Sequence, residues 1–177
     1  LAQHGDRRIA RLERNGQQTT LVGRFEGKRI NSPNDVVFRS NGDLYFTDPP
    51  FGLPKSFDDP RKETPFQGVY KYSKDGKLAL LTADIKAPNG IAFSPDEKKL
   101  YISNADPANA VWMIFDVKAD GTIENGRVLF NATAWTKTKP GAPDGMKVDS
   151  EGNIFGAGPG GVYVIAPNGT HLGTIDL

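Results

Sequence analysis

The chain has 177 residues, of which 37% are apolar and 24% are charged, a composition typical of a soluble globular protein. Its 22 Lys and Arg residues are balanced by 21 Asp and Glu residues, so it lacks the positive field that gathers nucleic acid, and no apolar run approaches the roughly 20 residues of a membrane span. The absence of cysteine excludes disulfides, thiolate zinc sites and cysteine nucleophiles.

Short apolar stretches separated by turn dipeptides predict a series of β-hairpins. The first, residues 7–22, turns at Asn15-Gly16, a dipeptide that supplies the positive φ of a tight hairpin turn. The later hairpins follow in chain order at 34–48, at 68–81 around Asp75-Gly76, at 89–104, at 110–130 around Asp120-Gly121, at 144–158, and at 161–175 around Asn168-Gly169.

Three of these hairpins repeat one another at a constant spacing. They begin with Pro-Asn-Asp, Pro-Asn-Gly and Pro-Asp-Gly, so that Asn34, Asn89 and Asp144 are equivalent and lie 55 residues apart. Each is followed by a second hairpin, which makes a four-stranded module that recurs about every 50 residues, as in a propeller blade. A sandwich or barrel would not explain this self-similarity. The sequence therefore predicts an all-β fold, a β-propeller of about three and a half blades.

Closed propellers have about four to eight blades. The chain is therefore expected to be a partial propeller, a single domain over residues 1–177 that lacks N-terminal and C-terminal blades.

The repeat also places polar side chains together. In a propeller the loop that leads into each innermost strand opens near the axis, so Asn34, Asn89 and Asp144 are expected to face a common centre. Amide and carboxylate oxygens suit a hard cation such as Ca²⁺ or Mg²⁺, which makes all three candidate metal ligands. The alternative is that Asn and Asp only shape these turns, and the spacing does not separate the two interpretations.

Further candidates lie at the other end of the same hairpins. Asp48 and Asn104 end the second strand and return to the same face, where they either contact substrate or form turns. The irregular segment 48–67 is expected to form a rim over the site, with disorder as the alternative. His4 is more commonly structural than catalytic in such a setting.

Several strings carry a resemblance to a known family: NSPNDVVFRSNGDLYFTDPPFGLP, APNGIAFSPDEKKLYISNAD and PDGMKVDSEGNIFGAGPGGVYVIAPNGTHLGTI. They closely resemble the senescence-marker-protein/gluconolactonase/regucalcin-like family, and the opening QHGDRRIAR resembles its bacterial gluconolactonase branch. The resemblance implies a six-bladed propeller that holds one divalent cation and hydrolyses a small-molecule sugar lactone. Ca²⁺ is the expected ion, with Mg²⁺, Zn²⁺ and Mn²⁺ as alternatives. The sequence does not indicate the compartment, and the bacterial cytoplasm and the periplasm both stay open.

The resemblance also assigns roles to residues. Two of the family's metal ligands map onto Asn89 and Asp144, whereas the third, a glutamate of the first blade, maps onto no residue of this chain. The 177-residue chain alone is therefore expected to be inactive. Asp144 is also expected to take a proton from the attacking water, as the catalytic residue.

The substrate-binding residues implied in this way are Asn34, which faces substrate or metal in relatives, Asp35 beside it, Asp48 and Asn104. An arginine that contacts sugar in animal members is replaced here by Ser32, so the specificity of those members does not carry over. Two other functions remain open. One is a related propeller esterase or phosphotriesterase, and the other is a non-catalytic propeller that binds metal or a protein.

Overall fold

The computed structural model describes residues 1–176, and almost all of their regular structure is antiparallel β-sheet. The exceptions are two short 3₁₀ helices at Ser56–Asp58 and Thr133–Lys137. The predicted all-β class is confirmed. Within the described residues no helix has the length and apolar character needed to cross a membrane.

The chain forms two compact units, Leu1–Ile85 and a second that begins at Lys86. The first unit contains a three-stranded sheet, a two-stranded hairpin and a four-stranded sheet. Its strands are β1 (Ala2–Gln3), β2 (Arg8–Leu12), β3 (Gln18–Val22), β4 (Arg24–Phe25), β5 (Lys28–Arg29), β6 (Val36–Phe38), β7 (Leu44–Asp48), β8 (Gly68–Tyr72) and β9 (Leu78–Thr82).

The second unit contains two four-stranded sheets. Their strands are β10 (Pro88–Phe93), β11 (Lys99–Asn104), β12 (Val111–Val117) and β13 (Ile123–Asn131), then β14 (Met146–Val148), β15 (Ile154–Gly158), β16 (Gly161–Ile165) and β17 (His171–Asp176).

In every sheet the spatial order of the strands follows the order of the chain. The hairpins predicted at 34–48, 89–104 and 144–158 are all formed. The second hairpins turn at Gly76, Gly121 and Gly169, with φ of 83°, 79° and 89°, as the Asp-Gly and Asn-Gly dipeptides predict. Three complete blade-type sheets are therefore confirmed.

The opening of the chain differs from the prediction in two ways. Besides the expected hairpin, the first sheet has the short strand β1, which pairs with β2. A further hairpin, β4–β5, turns at Glu26 and Gly27, which both have positive φ, 49° and 81°. This pair of angles suits a tight hairpin turn, but the φ of Glu26 is unusual for a residue with a side chain, so the sequence did not indicate it.

Each unit has its own apolar core. In the first, Phe46 stacks on Tyr70 at a centroid distance of 5.1 Å, and Phe25 meets the edge of Tyr70 at 5.2 Å. In the second, Trp112 of β12 lies 5.4 Å from Tyr163 of β16. The core of the second unit is thus the interface between its two four-stranded sheets.

Tyr163 also makes a polar contact in this core, because its hydroxyl donates to the carbonyl of Pro159 at 3.0 Å. We expect Tyr163→Phe to lower the free energy of unfolding by about 1 kcal/mol, since a buried carbonyl loses its donor. Urea unfolding measures the change. Tyr72→Phe is the matched control: Tyr72 is half-buried rather than part of a fully buried core, so a change within about 0.5 kcal/mol is expected. Equal losses in both variants would contradict the assignment.

Candidate active site and metal centre

Two loops of the second unit lie side by side, one that runs into the first residues of β10, where Asn89 and Gly90 lie, and one before β14. The side-chain amide of Asn89 donates through Nδ2 to the carbonyl of Pro143 at 3.4 Å. Ser103 of β11 joins the same loops: its hydroxyl accepts the N–H of Gly90 at 2.7 Å and donates to the carbonyl of Asp144 at 3.0 Å. One hydroxyl therefore satisfies a backbone donor of the first loop and a backbone acceptor of the second.

This approach depends on the absence of a side chain at Gly90. A Cβ there would lie 2.3 Å from the carbonyl oxygen of Asp144 and 2.9 Å from the Cα of Gly145. Both are backbone atoms, so a larger residue would have to push the loops apart. A Cβ on Gly145, by contrast, would meet nothing within 4 Å.

The two predicted metal ligands of this unit, Asn89 and Asp144, differ in solvent exposure. Asn89 is 7% exposed, whereas Asp144 is exposed. The backbone of Asp144 is fixed by its N–H, which donates to Ala157 at 2.9 Å, and its carboxylate accepts the N–H of Gly145 at 2.8 Å. An amide oxygen and an adjacent loop carboxylate are hard oxygen donors of the kind that Ca²⁺ and Mg²⁺ accept.

Among the described residues there is no group of three or more His, Cys, Asp or Glu side chains that could hold a metal ion.

The corresponding loop of the first unit carries Asn34 and Asp35, both half-buried. The N–H of Asn34 donates to the carbonyl of Thr47 at 2.9 Å, and the N–H of Asp35 donates to the Thr47 hydroxyl at 3.2 Å. Thr47 thus holds this loop as Ser103 holds Gly90. The Oδ1 of Asn34 lies 3.0 Å from Nε2 of His4.

The comparisons with known proteins bear on this arrangement. Residues 2–177 match the family described as the SMP-30/Gluconolactonase/LRE-like region. The chain belongs to this family. The resemblance found in the sequence is confirmed.

Individual relatives agree with the family match. The chain is 40% identical over 178 residues to a gluconolactonase of Zymomonas mobilis, covering 99% of this chain and 50% of that protein. Among solved structures, a gluconolactonase of Xanthomonas campestris matches with a TM-score of 0.84 and 37% identity, over 98% of this chain and 56% of that one. The calcium-binding protein regucalcin of Agrobacterium tumefaciens matches with a TM-score of 0.70 and 26% identity, over 92% and 51%. The chain spans about half the length of these relatives.

Within this SMP-30/gluconolactonase-type chain, Asp48 and Asn104 make the same contact in successive repeats. Each side chain is buried and accepts the backbone N–H of the residue 17 positions earlier: Asp48 from Asn31 at 2.7 Å and Asn104 from Ala87 at 2.9 Å. Asp48 has no exposed surface, and the amide of Asn104 donates to the carbonyl of Asn109 at 2.9 Å. Both therefore anchor loops, and their contact with substrate stays a prediction.

The segment 48–67 is ordered rather than disordered. Asn31 donates to the carbonyls of Asp48 and Phe66 at 3.0 and 2.9 Å, and Thr64 donates to the Asn31 side chain at 3.0 Å. Ser32 is fully buried, donates to the carbonyl of Pro49 and accepts the N–H of Gly52. Ser32 therefore anchors this segment and has no exposed surface with which to contact a sugar.

Sequence reasoning missed Thr47 and Ser103, which hold the candidate residues, and it noted His4 without finding its contact with Asn34. Thr47 and Ser103 share a place in the repeat, because each immediately precedes one of the equivalent residues Asp48 and Asn104. This shared hydroxyl position was the one sequence signal that could have identified them. The third repeat has Ala157 there, which obscures the pattern. The contact of His4 with Asn34 spans 30 residues and has no sequence signal.

Burial of Asp48 raises the pKa of its carboxyl from the usual 3.8 to about 7. Because the folded pKa lies above the unfolded one, the stability contributed by the protonated group is present below about pH 4 and is lost as the pH rises through about 7. We expect the free energy of unfolding of the wild type to fall relative to Asp48→Asn by about 2–3 kcal/mol between pH 5 and pH 8.

Denaturant unfolding at the two pH values measures this difference. Asn is compatible with the position, since Asn104 fills the equivalent place in the next repeat. Asp75→Asn, in an exposed turn, controls for the loss of one negative charge. A pH-independent gap between wild type and Asp48→Asn would show that the buried carboxyl does not titrate in this range.

Proposed function

We propose that this chain contributes part of the active site of a metal-dependent lactone hydrolase, within one six-bladed propeller domain that opens sugar lactones. The observation that carries the proposal is the exposed Asp144 carboxylate, on a loop whose backbone carbonyls accept hydrogen bonds from the Asn89 amide and the Ser103 hydroxyl. Membership of the SMP-30/gluconolactonase family and 40% identity to a gluconolactonase support the reaction.

Asn89 and Asp144 are proposed to hold one divalent cation, preferably Ca²⁺. The donor set fits, because both side chains offer oxygen and neither loop offers a soft ligand. The structural likeness to a calcium-binding regucalcin supports the same ion. When bound, such a cation polarises a lactone carbonyl and lowers the pKa of a bound water.

The protein side chains are proposed to act on the water and the lactone. In the reaction, a water oxygen adds to the carbonyl carbon and the ring C–O bond breaks. The leaving ring oxygen takes up the proton that the water gave to the base, which gives a hydroxy acid. Asp144 has two carboxylate oxygens on an exposed loop and is the proposed acceptor of the water proton. Asn34 and Asp35 are proposed to bind the lactone oxygens, and Asp48 and Asn104 to support the surrounding loops.

Replacing Asp144 by Asn in a full-length protein that carries this chain tests both proposed roles. Asn keeps the shape but removes the negative charge and the base, so we expect lactone turnover to fall about 100-fold or more and Ca²⁺ affinity to fall about tenfold or more. A pH-stat assay with aldonolactones, with and without chelator, and calorimetric Ca²⁺ titration measure the two effects.

Asp149→Asn is the matched control, because Asp149 accepts local hydrogen bonds within the β14–β15 turn. If Asp144→Asn leaves lactone hydrolysis unchanged, the active site lies elsewhere. Faster hydrolysis of paraoxon than of any lactone would indicate a phosphotriesterase instead. Ca²⁺ binding without turnover of either substrate would indicate a non-catalytic propeller.

A second test moves the loops without removing a ligand. Gly90→Ala places a Cβ against the backbone of Asp144, so we expect Ca²⁺ affinity to fall about tenfold or more, as the ligand geometry is lost. Gly145→Ala, whose Cβ would meet nothing within 4 Å, should bind Ca²⁺ like the wild type. Calorimetry on both variants compares them directly, and equal affinities would show that the close approach of the loops does not shape a cation site.

A further inference from the structure

An open cleft of about 480 Å³ in the first unit is lined by more positive than negative side chains, and it lies between the first sheet and the β4–β5 hairpin. The charged residues that line it are Asp6, Arg7, Arg8, Arg24 and Arg29. Asp6 pairs with Arg8 at 3.0 Å, and Glu63 beside the cleft lies 3.6 Å from Arg24. Four guanidinium groups against these two carboxylates leave a local excess of two positive charges.

Two of these arginines are held directly opposite each other. Arg24 and Arg29 are cross-strand partners in the β4–β5 hairpin, so their side chains share a face with Cβ atoms about 4.5–5.5 Å apart, and like charges in such a pair are destabilising. The turn that joins them is strained, since Glu26 has a positive φ of 49°, and backbone strain of this kind is concentrated at functional sites. The hairpin thus combines two unfavourable features and presents two adjacent positive charges.

Arg7 adds a third guanidinium group to the lining of the cleft, although it is only 6% exposed. Its Nε donates to the carbonyls of Ile30 and Asn31 at 2.9 and 2.8 Å, and its Nη1 donates to the carbonyl of Arg61 at 3.0 Å. Its Nη2 is buried and has no partner among residues 1–176. Burial, followed by the nearby positive charge of Arg29, lowers the pKa of the Arg7 guanidinium, which shows that both effects disfavour its charge.

The carboxylates of the chain offset this charge only from a distance. Glu63 and Asp48 act in the opposite direction on the pKa of Arg7, but in the described part of the chain neither forms an ion pair with it. The side chain of Arg29 has the carbonyl of Asp6 as its one partner there, at 3.1 Å. Buried charges in proteins are ordinarily paired with an opposite charge. Arg7 and Arg29 therefore leave a place for a negatively charged ligand.

We propose that this arginine cleft binds a tetrahedral oxyanion with two negative charges, as in inorganic phosphate or the phosphate group of a small phosphate monoester. The planar fork of a guanidinium group matches phosphate oxygens with two parallel hydrogen bonds, and the two negative charges match the local excess. The cleft is larger than a phosphate group, which leaves room for the organic part of a monoester. None of its residues has a part in the proposed lactone hydrolysis, so the two proposals are independent.

Titration of a full-length protein that carries this chain with inorganic phosphate, at constant ionic strength, tests the site. In arginine side-chain ¹H–¹⁵N spectra we expect the Nε signals of Arg24 and Arg29 to shift and to saturate, with a Kd of about 1 mM or tighter. Acetate, which has one charge and no tetrahedral oxygens, should bind about tenfold more weakly. Shifts that grow linearly with phosphate and never saturate would overturn the proposal.

The same titration with glucose 6-phosphate separates the two sources of the phosphate group. Tighter binding than that of inorganic phosphate assigns the cleft to a phosphate monoester, and equal or weaker binding assigns it to free phosphate. Glucose without its phosphate should cause no shift of the Arg24 and Arg29 signals, because the cleft is proposed to recognise the charge. A shift of these signals by glucose alone would contradict that.

Matched variants separate a built site from general attraction between charges. Arg29→Gln removes one fork but keeps the backbone N–H that donates to Glu63 at 2.7 Å, and we expect phosphate affinity to fall about tenfold. Arg29→Lys keeps the charge and should lose less. Arg14→Gln removes the same charge from an exposed turn outside the cleft, so its affinity should stay within about twofold of the wild type.

Equal losses in Arg29→Gln and Arg14→Gln would show that phosphate responds only to net charge, and the proposal would be wrong. The variants leave Arg7 in place, because its guanidinium also holds the carbonyls of Ile30, Asn31 and Arg61. The measured quantity is binding alone, so the result stands whether or not the protein hydrolyses a lactone.

Discussion

The close approach of two backbone loops at Gly90 and Asp144 is the constraint on which the candidate site depends. Buried N–H and C=O groups must find partners, and here the single hydroxyl of Ser103 satisfies one of each. Only a residue without a side chain leaves room for this arrangement. The distance between the two loops is consequently set by contacts to backbone atoms. The side chains of Asn89 and Asp144 have little part in setting it.

Much of the fold could be predicted because its determinants are local. A hairpin needs two short apolar strands and a dipeptide that tolerates positive φ, and both features are visible at Asp75-Gly76 and Asn168-Gly169. The 55-residue self-similarity then groups the hairpins into four-stranded sheets. The hairpin at Glu26 was not predicted, because glutamate adopts positive φ only where the surrounding structure compensates for the strain. The local sequence does not reveal that surrounding structure.

The candidate site was predictable to a lesser degree. The repeat identified Asn34, Asn89 and Asp144 as equivalent, since these residues share a motif. It could not show that Asp48 and Asn104 lie below the surface as loop anchors, because burial depends on residues distant in the chain. For the same reason the contact of His4 with Asn34 had no counterpart in the sequence: a hydrogen bond across 30 residues follows from the folded arrangement alone.

The agreement between strand order and chain order in every sheet has a kinetic consequence. Each sheet is assembled from neighbouring segments, so its contacts close short loops, and such local topologies fold fast. The hydrogen bond between Ser103 and Asp144 spans 41 residues and joins two different sheets, so it closes a longer loop than the contacts within either sheet and is expected to form after them. Ion binding at the proposed Asn89–Asp144 site would then require both sheets, and a chain that stops after β13 would carry Asn89 without Asp144.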